Sequence, residues 1–443
     1  ATWRSAYPSA PNPVPGVSGP TPHTDGPVVI NGPCTCGAMK NERITSPTLR
    51  CDHSCAHCGS RAGDARPDEL DTEELLGVAD SLIRLGAREV TLIGGEAYLR
   101  GDCYRLISHL RDGGIRVTMQ TGGRGLTADR ARKLKEAGLA AIGVSVDGPP
   151  EAHDELRASP GSHAAALAGI AHARAAGMIV TSNTQVNRRN KDHLRETAAL
   201  LKAAGVAVWR AQLTAPMGRA ADEPDWILQP WMILEVIDTL AEIQRECLED
   251  AKARGIPAER AFHVRLGNNM GYYGPHERIL RTRPGSGESH WQSCGAGKFV
   301  MGIESDGTIK GCPSLPTGPY AGGNVRELSL EQIWEHSEVI AFTRNRDDSE
   351  LWGFCKGCYY AEVCRAGCSF TAHSTLGKRG NMPFCYYRAS QFKKDGLRER
   401  LIHKTRAPGD PYDFGCFDLT VEPWPATPDP PERPRRSLPI LHT

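Results

Sequence analysis

The chain has 443 residues, and its 53 Lys plus Arg against 52 Asp plus Glu leave a formal charge of only +1. That balance gives no electrostatic footprint for nucleic acid; no apolar run reaches membrane-span length, and the N-terminus lacks the basic-then-apolar pattern of a signal peptide. The expectation is a cytoplasmic chain of two or three domains with neither nucleic acid nor membrane as partner.

Fifteen cysteines need a cause. Disulfide frameworks belong to short secreted chains. Ten of the fifteen fall into two sets, Cys51/Cys55/Cys58 and Cys294/Cys312/Cys355/Cys358/Cys364/Cys368/Cys385. Such clustering points to metal.

In chain order, residues 1–43 are rich in Pro, Gly, Ser and Thr and read as an irregular arm. Within it Cys34 and Cys36, in PCTCG, either add a ligand to a cluster or are ordinary surface thiols. Residues 44–50 approach the first cysteine loop, RCDHSCAHCGS. Three soft thiolates so close suit iron–sulfur iron, with one cubane iron left open, or a zinc knuckle completed from elsewhere.

Helix and strand signals then alternate. A helix over 72–85 carries Leu75, Leu76, Ala79, Leu82 and Ile83 on one face and ends at Gly86. Strand 89–93 runs into Gly94-Gly95-Glu96. Helix 102–112 leads to strand 115–119 and then Thr121 and Gly122. Helix 127–137, strand 139–146, helix 162–176, strand 178–183, helix 191–204, strand 206–212 and a long helix over 229–254 complete the series. Six strand–helix units at a period near 30 residues predict a parallel sheet covered by helices over 44–254. An open doubly wound sheet fits that pattern nearly as well as a partial barrel. In either, chemistry belongs at the C-terminal ends of the strands, where the cysteine loop lies.

Residues 255–293 bridge to the second cysteine set. Asn268, Asn269, Tyr272, Tyr273 and His276 there line a substrate path or pack as a loop over the barrel mouth. From 294, a strand over 298–304, the turn Asp306–Gly307 and a return over 308–311 predict a hairpin joining Cys294 to Cys312. A small helical region follows, then the remaining five cysteines; Cys103 reads as a plain helix residue. Residues 386–405, with Arg388, Lys393, Lys394, Arg398 and Arg400, read as helix with a solvated basic face. From 406 onward the chain reads as a Pro-rich tail without periodicity.

The spacing Cys51-x3-Cys55-x2-Cys58 resembles the signature of the radical S-adenosylmethionine (SAM) enzymes, with His57 where that family usually has an aromatic residue. The seven later cysteines resemble the SPASM domain that follows some of those barrels. Together the resemblance covers about 45–390. It implies an α/β fold: a partial (βα)6 barrel over 44–254, then a small cysteine-rich domain over 294–390 with a β-hairpin and short helices, and residues 391–443 as a C-terminal helix and tail. It also implies three [4Fe–4S] clusters: one on Cys51, Cys55 and Cys58 that binds SAM, one on Cys355, Cys358, Cys364 and Cys385, and one on Cys294, Cys312 and Cys368. The last is a ligand short, to be completed by Cys34, Cys36, Cys247, Cys416 or a substrate atom.

By the same resemblance, Gly94, Gly95 and Glu96 receive the amino group of SAM, and Thr121, Ser145, Asp147, Asn183, Arg210 and Gln212 are strand-end candidates for its carboxylate, ribose and adenine. A reduced cluster, supplied by a flavodoxin- or ferredoxin-type reductant, cleaves SAM to a 5′-deoxyadenosyl radical that takes hydrogen from an unactivated carbon; such radical chemistry belongs to the cofactor. Auxiliary clusters argue for net oxidation. The expected activity is oxidation of a side chain of a ribosomally made peptide, by crosslink formation, with a separate protein as possible leader binder, since no built-in leader-binding domain is visible. The alternatives are an oxidoreductase or transferase acting on a small metabolite, and a zinc-stapled binding protein without catalysis.

Overall fold

The computed structural model describes residues 42–282 and 289–425. Cys34 and Cys36, nearly all of the expected N-terminal arm and the end of the Pro-rich tail lie outside the described residues. The expected strands form a single sheet. β1 (Glu42–Thr45), β2 (Glu89–Leu92), β3 (Arg116–Thr121), β4 (Ala141–Ser145), β5 (Ile179–Val186) and β6 (Val208–Leu213) pair in sequence order, all parallel. The helices between them are α1 (Thr72–Arg84), α2 (Cys103–Asp112), α3 (Ala128–Ala137), α4 (Pro150–Arg157), α5 (Ser162–Ala175) and α6 (Leu194–Ala203), followed by α7 (Ile233–Ala253).

Local chemistry sets the boundaries. Asp71 and Glu74 close a capping box at the start of α1. Thr127 caps α3, which stops at Gly138 in a left-handed conformation. Helix α4, not anticipated, opens on Pro149-Pro150, with Pro150 at the first helical position, where a missing N–H costs nothing.

Strands buried on both faces of a parallel sheet usually read as continuous apolar runs. Here they alternate. In β5 the buried residues are Val180, Ser182, Thr184 and Val186; in β6 they are Trp209, Ala211 and Leu213. The intervening Thr181 and Gln185, with Val208, Arg210 and Gln212, line a lumen, and Asn183, on the same face of β5, bonds to Gln120 of its wall. The outer face is the core, under the helices; the inner face is polar enough to hold a ligand.

Three expectations need correction. The bridge contains a seventh parallel strand, β7 (His263–Leu266), paired with β6. Residues 386–405 are not one solvated helix: Tyr386–Lys394 is helical, and 397–405 is strand β11 (Leu397–Thr405), in which Arg398 is buried. The tail is not aperiodic throughout, since β12 (Cys416–Pro423) pairs antiparallel with β11.

The predicted hairpin is present as β8 (Val300–Ile303) and β9 (Thr308–Lys310), with Gly307 at φ +87° in its turn. It continues the barrel sheet: β8 lies parallel to β1, and β9 and β10 (Ala321–Asn324) extend that edge. Arg326, just beyond β10, clamps the hairpin to α1 through both carboxylate oxygens of Glu74. The fold is a partial (βα) barrel followed by a small region of hairpin and short helices.

Candidate active site

The first cysteine loop leaves β1 and is tied down by backbone bonds. Gly95 N donates to Thr48 O (2.9 Å), Glu96 N to Arg50 O (2.8 Å) and Cys51 N to Gly63 O (2.8 Å). A Cβ on Gly95 would lie 2.1 Å from Arg50 O, so only glycine lets the two loops meet. Gly94, at φ +114°, adds a conformation that side chains avoid. Ligand atoms of Cys51, Asp52 and Glu96 fall within 4.8 Å of one another.

Glu96 is 2% exposed. Thr121 Oγ1 (2.5 Å) and Gly122 N (2.6 Å) donate to its two carboxylate oxygens, while burial pushes its carboxyl up to about 7. Both ring nitrogens of His53 and one carboxylate oxygen of Asp52 are buried without a hydrogen-bond partner among the described residues. Unsatisfied buried groups concentrated beside three thiols are what a bound polar cofactor would complete.

Behind the loop, Asp147 is fully buried. Its carboxylate meets Arg157 (2.6 Å) and His57 Nε2 (3.2 Å) and accepts from Gln185 N (2.8 Å). Although burial alone would raise it, Arg157 and His57 hold the Asp147 carboxyl well below the usual carboxylate range. Arg157 reaches Cys55 Sγ at 3.6 Å. The His57 ring, in place of an aromatic residue, spans Asp147 and the Leu156 carbonyl (2.8 Å from Nδ1). Burial holds the Cys55 thiol at about 11, despite Arg157.

Ser145 and Asn183 are register partners on β4 and β5, and Asn183 donates to Gln120. Arg210 and Gln212 lie on the lumen wall. One cavity of about 890 Å³ takes in His57, Gly94, Gln120, Gln185, Arg210 and Gln212 and extends to Cys294, Cys312 and Cys368.

The seven later cysteines separate into two groups. Burial, then Cys294, pushes the Cys312 thiol up to about 11, and Cys368 is raised by burial, Cys294 and Cys312. Cys355, Cys358, Cys364 and Cys385 instead line a second, small cavity with Tyr272, Tyr273 and Arg388. There burial, Cys385, Cys355 and Cys358 raise Cys364 well above its ordinary value. Such thiols ionise against a metal rather than in isolation. Cys247 sits on α7 with Lys202, Glu246 and Asp250 around it, and Cys416 lies against Gly377.

Of the bridge residues, Asn268 and Asn269 line the large cavity. Tyr272 touches both later groups: Cys368 N donates to its hydroxyl (3.2 Å), and the Cys385 thiol faces its carbonyl (3.6 Å). Sequence reasoning missed Arg157, Arg265 and Tyr412. Arg265 lies on the lumen wall in unanticipated β7. Tyr412 comes from the β11–β12 loop, held at φ +59°, and reaches the cavity because Asp413 is fastened to Arg61 (2.8 Å). No local motif marks either; the signal was tertiary.

Residues 45–201 match the Radical SAM superfamily, and residues 294–359 match the SPASM iron–sulfur cluster-binding domain. The chain is 31% identical to an AdoMet-dependent heme synthase of Methanosarcina barkeri, over 77% of this chain and 95% of that protein. It is 27% identical to the mycofactocin maturase MftC of Mycolicibacterium smegmatis, over 72% of this chain and 76% of that one. Its fold superposes on anSMEcpe, solved with AdoMet and a peptide, at a TM-score of 0.59 and 17% identity, covering 79% of this chain and 94% of that one. The chain therefore belongs to the radical SAM superfamily. It is a radical SAM/SPASM oxidoreductase, built to bind iron–sulfur clusters and SAM.

Proposed function

We propose that this enzyme oxidises an unactivated carbon of a compact substrate seated in the barrel lumen. The single supporting observation is the continuous cavity that joins the mouth beside the first cysteine loop to Cys294, Cys312 and Cys368. The donor sets fit three [4Fe–4S] clusters: Cys51, Cys55 and Cys58 with one iron open to SAM, Cys355, Cys358, Cys364 and Cys385 as a complete set, and Cys294, Cys312 and Cys368 on the cavity wall. When bound, the open cluster and SAM supply a hydrogen-abstracting radical.

The rest is positioning by this chain. Glu96, oriented by Thr121 and Gly122, offers a carboxylate to an ammonium group. Gly94 and Gly95 bring the backbone close, and Ser145 presents a hydroxyl at the end of β4. Asp147, held by Arg157 and His57, acts on Cys55 through Arg157 rather than on the cofactor directly.

The cavity volume falls within the range of small-molecule sites, which favours a metabolite. The relation to a heme synthase agrees with this reading. A ribosomally made peptide that inserts one side chain for oxidation or crosslinking is the second reading, favoured by the relation to a mycofactocin maturase. Anaerobic reconstitution followed by SAM, dithionite and candidate substrates, read by mass spectrometry, tests both. Formation of 5′-deoxyadenosine together with a substrate lighter by two hydrogens or a larger fragment supports net oxidation. Zinc without iron, or no SAM cleavage, refutes it.

A further inference from the structure

We propose that Arg219 is a positioning residue for the first cysteine loop: it clamps the loop's backbone and keeps a positive charge against it, which eases reduction of a cluster held by Cys51, Cys55 and Cys58. This rests on the oxidoreductase reading above and adds a residue that tunes its first electron transfer. Three bonds carry the assignment. Arg219 Nε donates to the Cys55 carbonyl (2.7 Å), Nη2 to the Ala62 carbonyl (2.9 Å), and the Arg219 backbone N to the Cys58 carbonyl (2.9 Å). One residue from the segment after β6 thus ties both ends and the middle of the stretch 55–62.

The approach of that segment is built in. Gly218 sits at φ +57°, and a Cβ there would lie 2.3 Å from the Cys58 carbonyl oxygen, so glycine lets the segment press on the loop. Gly218 N donates to the Asp413 carbonyl (2.8 Å) and Met217 bridges to Phe414, so the β11–β12 loop braces the same segment. Arg219 itself is half-buried in the short turn Gly218–Asp222.

Charge sets Arg219 apart from the other guanidinium groups at this loop. Arg157, beside Cys55, is matched by Asp147 (2.6 Å). Arg61 is matched by Asp222 (2.7 Å) and Asp413 (2.8 Å). Arg124, which donates to the Asp52 carbonyl, is exposed and screened by solvent. The Arg219 side chain is bonded to carbonyls, and Asp222, three residues on, is taken by Arg61 through both oxygens. Guanidinium groups stay protonated in proteins, and a carbonyl partner leaves the charge intact.

Reduction of a thiolate-ligated cluster takes one electron from a low-potential reductant and adds one negative charge. A fixed cation nearby favours the reduced form, because net charge and hydrogen bonds around a cluster set its potential. Glutamine at this position removes the charge, whereas lysine keeps the charge and loses the fork. R219Q and R219K therefore separate the electrostatic role from the clamp.

The test uses the reconstituted full chain. SAM alters the EPR signal of a cluster whose open iron it binds, so the SAM-responsive part of the spectrum reports the first site beside the auxiliary ones. Its midpoint is read by titration with dithionite in wild type, R219K and R219Q. In R219Q it is expected to fall by about 59 mV, a tenfold change in the one-electron equilibrium, and in R219K to stay within about threefold of the wild type. A merely structural role would not split the two variants in this way. Hydrogen exchange of the peptide 51–63, read alongside, is expected to quicken about tenfold in R219Q and less in R219K. Loss of the first cluster from R219Q but not from R219K also supports the charge. Loss from both, an R219Q midpoint unchanged from wild type, an R219K midpoint as low as that of R219Q, or unchanged exchange in R219Q overturns the proposal. Zinc or no SAM-responsive signal in the wild type counts against the oxidoreductase reading instead, and exchange, which needs neither SAM nor reductant, still decides the clamp.

Discussion

Arg157 stands between a carboxylate and a thiol of the first cysteine loop: its guanidinium lies 2.6 Å from Asp147 and 3.6 Å from Cys55 Sγ. The pair couples the end of β4 to the loop after β1 through charge rather than chain connectivity. Removing one partner of a buried pair strands the other, at roughly 3–5 kcal/mol. R157M should lower the denaturation midpoint accordingly and reduce iron bound at the first cysteine set. R157K should recover part of the stability but not the geometry, because an ammonium cannot reach both partners as a fork does. Calorimetry with iron analysis checks both.

Gly95 allows the cysteine loop and the β2 end to meet. In G95A, the new Cβ would sit 2.1 Å from the Arg50 carbonyl oxygen, a backbone atom that cannot swing aside. The loop must move, carrying Cys51 away from Glu96. The expected result is a stable protein with weakened SAM binding, seen by equilibrium dialysis alongside an unchanged far-UV spectrum. Normal SAM affinity in G95A would count against the role of this contact.

The later cysteines should behave as two separable sets. Paired replacement of Cys355 and Cys358 should remove about four irons per chain and leave the Cys294, Cys312 and Cys368 site loaded. Paired replacement of Cys312 and Cys368 should do the reverse. Mössbauer or EPR spectra of the two variants should then add up to the auxiliary signal of the wild type. Loss of all auxiliary iron in either variant would contradict two independent sites.

Much of this was legible in the chain because strand and helix signals alternate at a period near 30 residues and because glycines mark the ends of helices. The Asp306–Gly307 turn marked its hairpin, and cysteine spacing anticipated which of the later thiols share a cavity. Other features were hidden for physical reasons. Strand β7 is four residues long and contains a His and an Arg. Strand β11 is dense in charge, and charge normally marks a solvated face. Here Arg398 and Glu399 are both buried, so their partners rather than their types decide where they go. Tyr412 reaches the cavity through a loop that no local pattern identifies.

Acid should loosen the strut between α1 and the hairpin. Hydrogen bonds from Arg326 and then from Asp71 N hold the Glu74 carboxyl down at about 2, against 4.5 for a free carboxyl. A depressed carboxyl contributes stability that is present above pH 4.5 and lost as pH falls toward 2. Urea midpoints of wild type and E74Q should therefore differ near neutrality and converge across that window. The difference should be small, because the pair is partly solvated. A gap that stays constant down to pH 2 would mean that Glu74 contributes nothing through its charge.

The buried pair Arg388–Glu399 gives the sharpest test of the C-terminal correction. Arg388 is fully buried; its Nε and Nη2 donate to the two Glu399 oxygens (2.6 and 2.7 Å), and Nη1 donates to Asn381 (2.6 Å) and the Met382 carbonyl (3.0 Å). It joins the helix after Cys385 to β11 and lines the small cavity of Cys355, Cys358, Cys364 and Cys385. A solvated basic residue would tolerate replacement within about 0.5 kcal/mol. R388M is expected instead to cost roughly 3–5 kcal/mol, because Glu399 is left charged and unpaired in the interior. The double variant R388M/E399L should be more stable than R388M alone, since it removes the stranded charge as well. Equal stability of R388M and wild type in chemical denaturation would restore the solvated-helix reading of this segment.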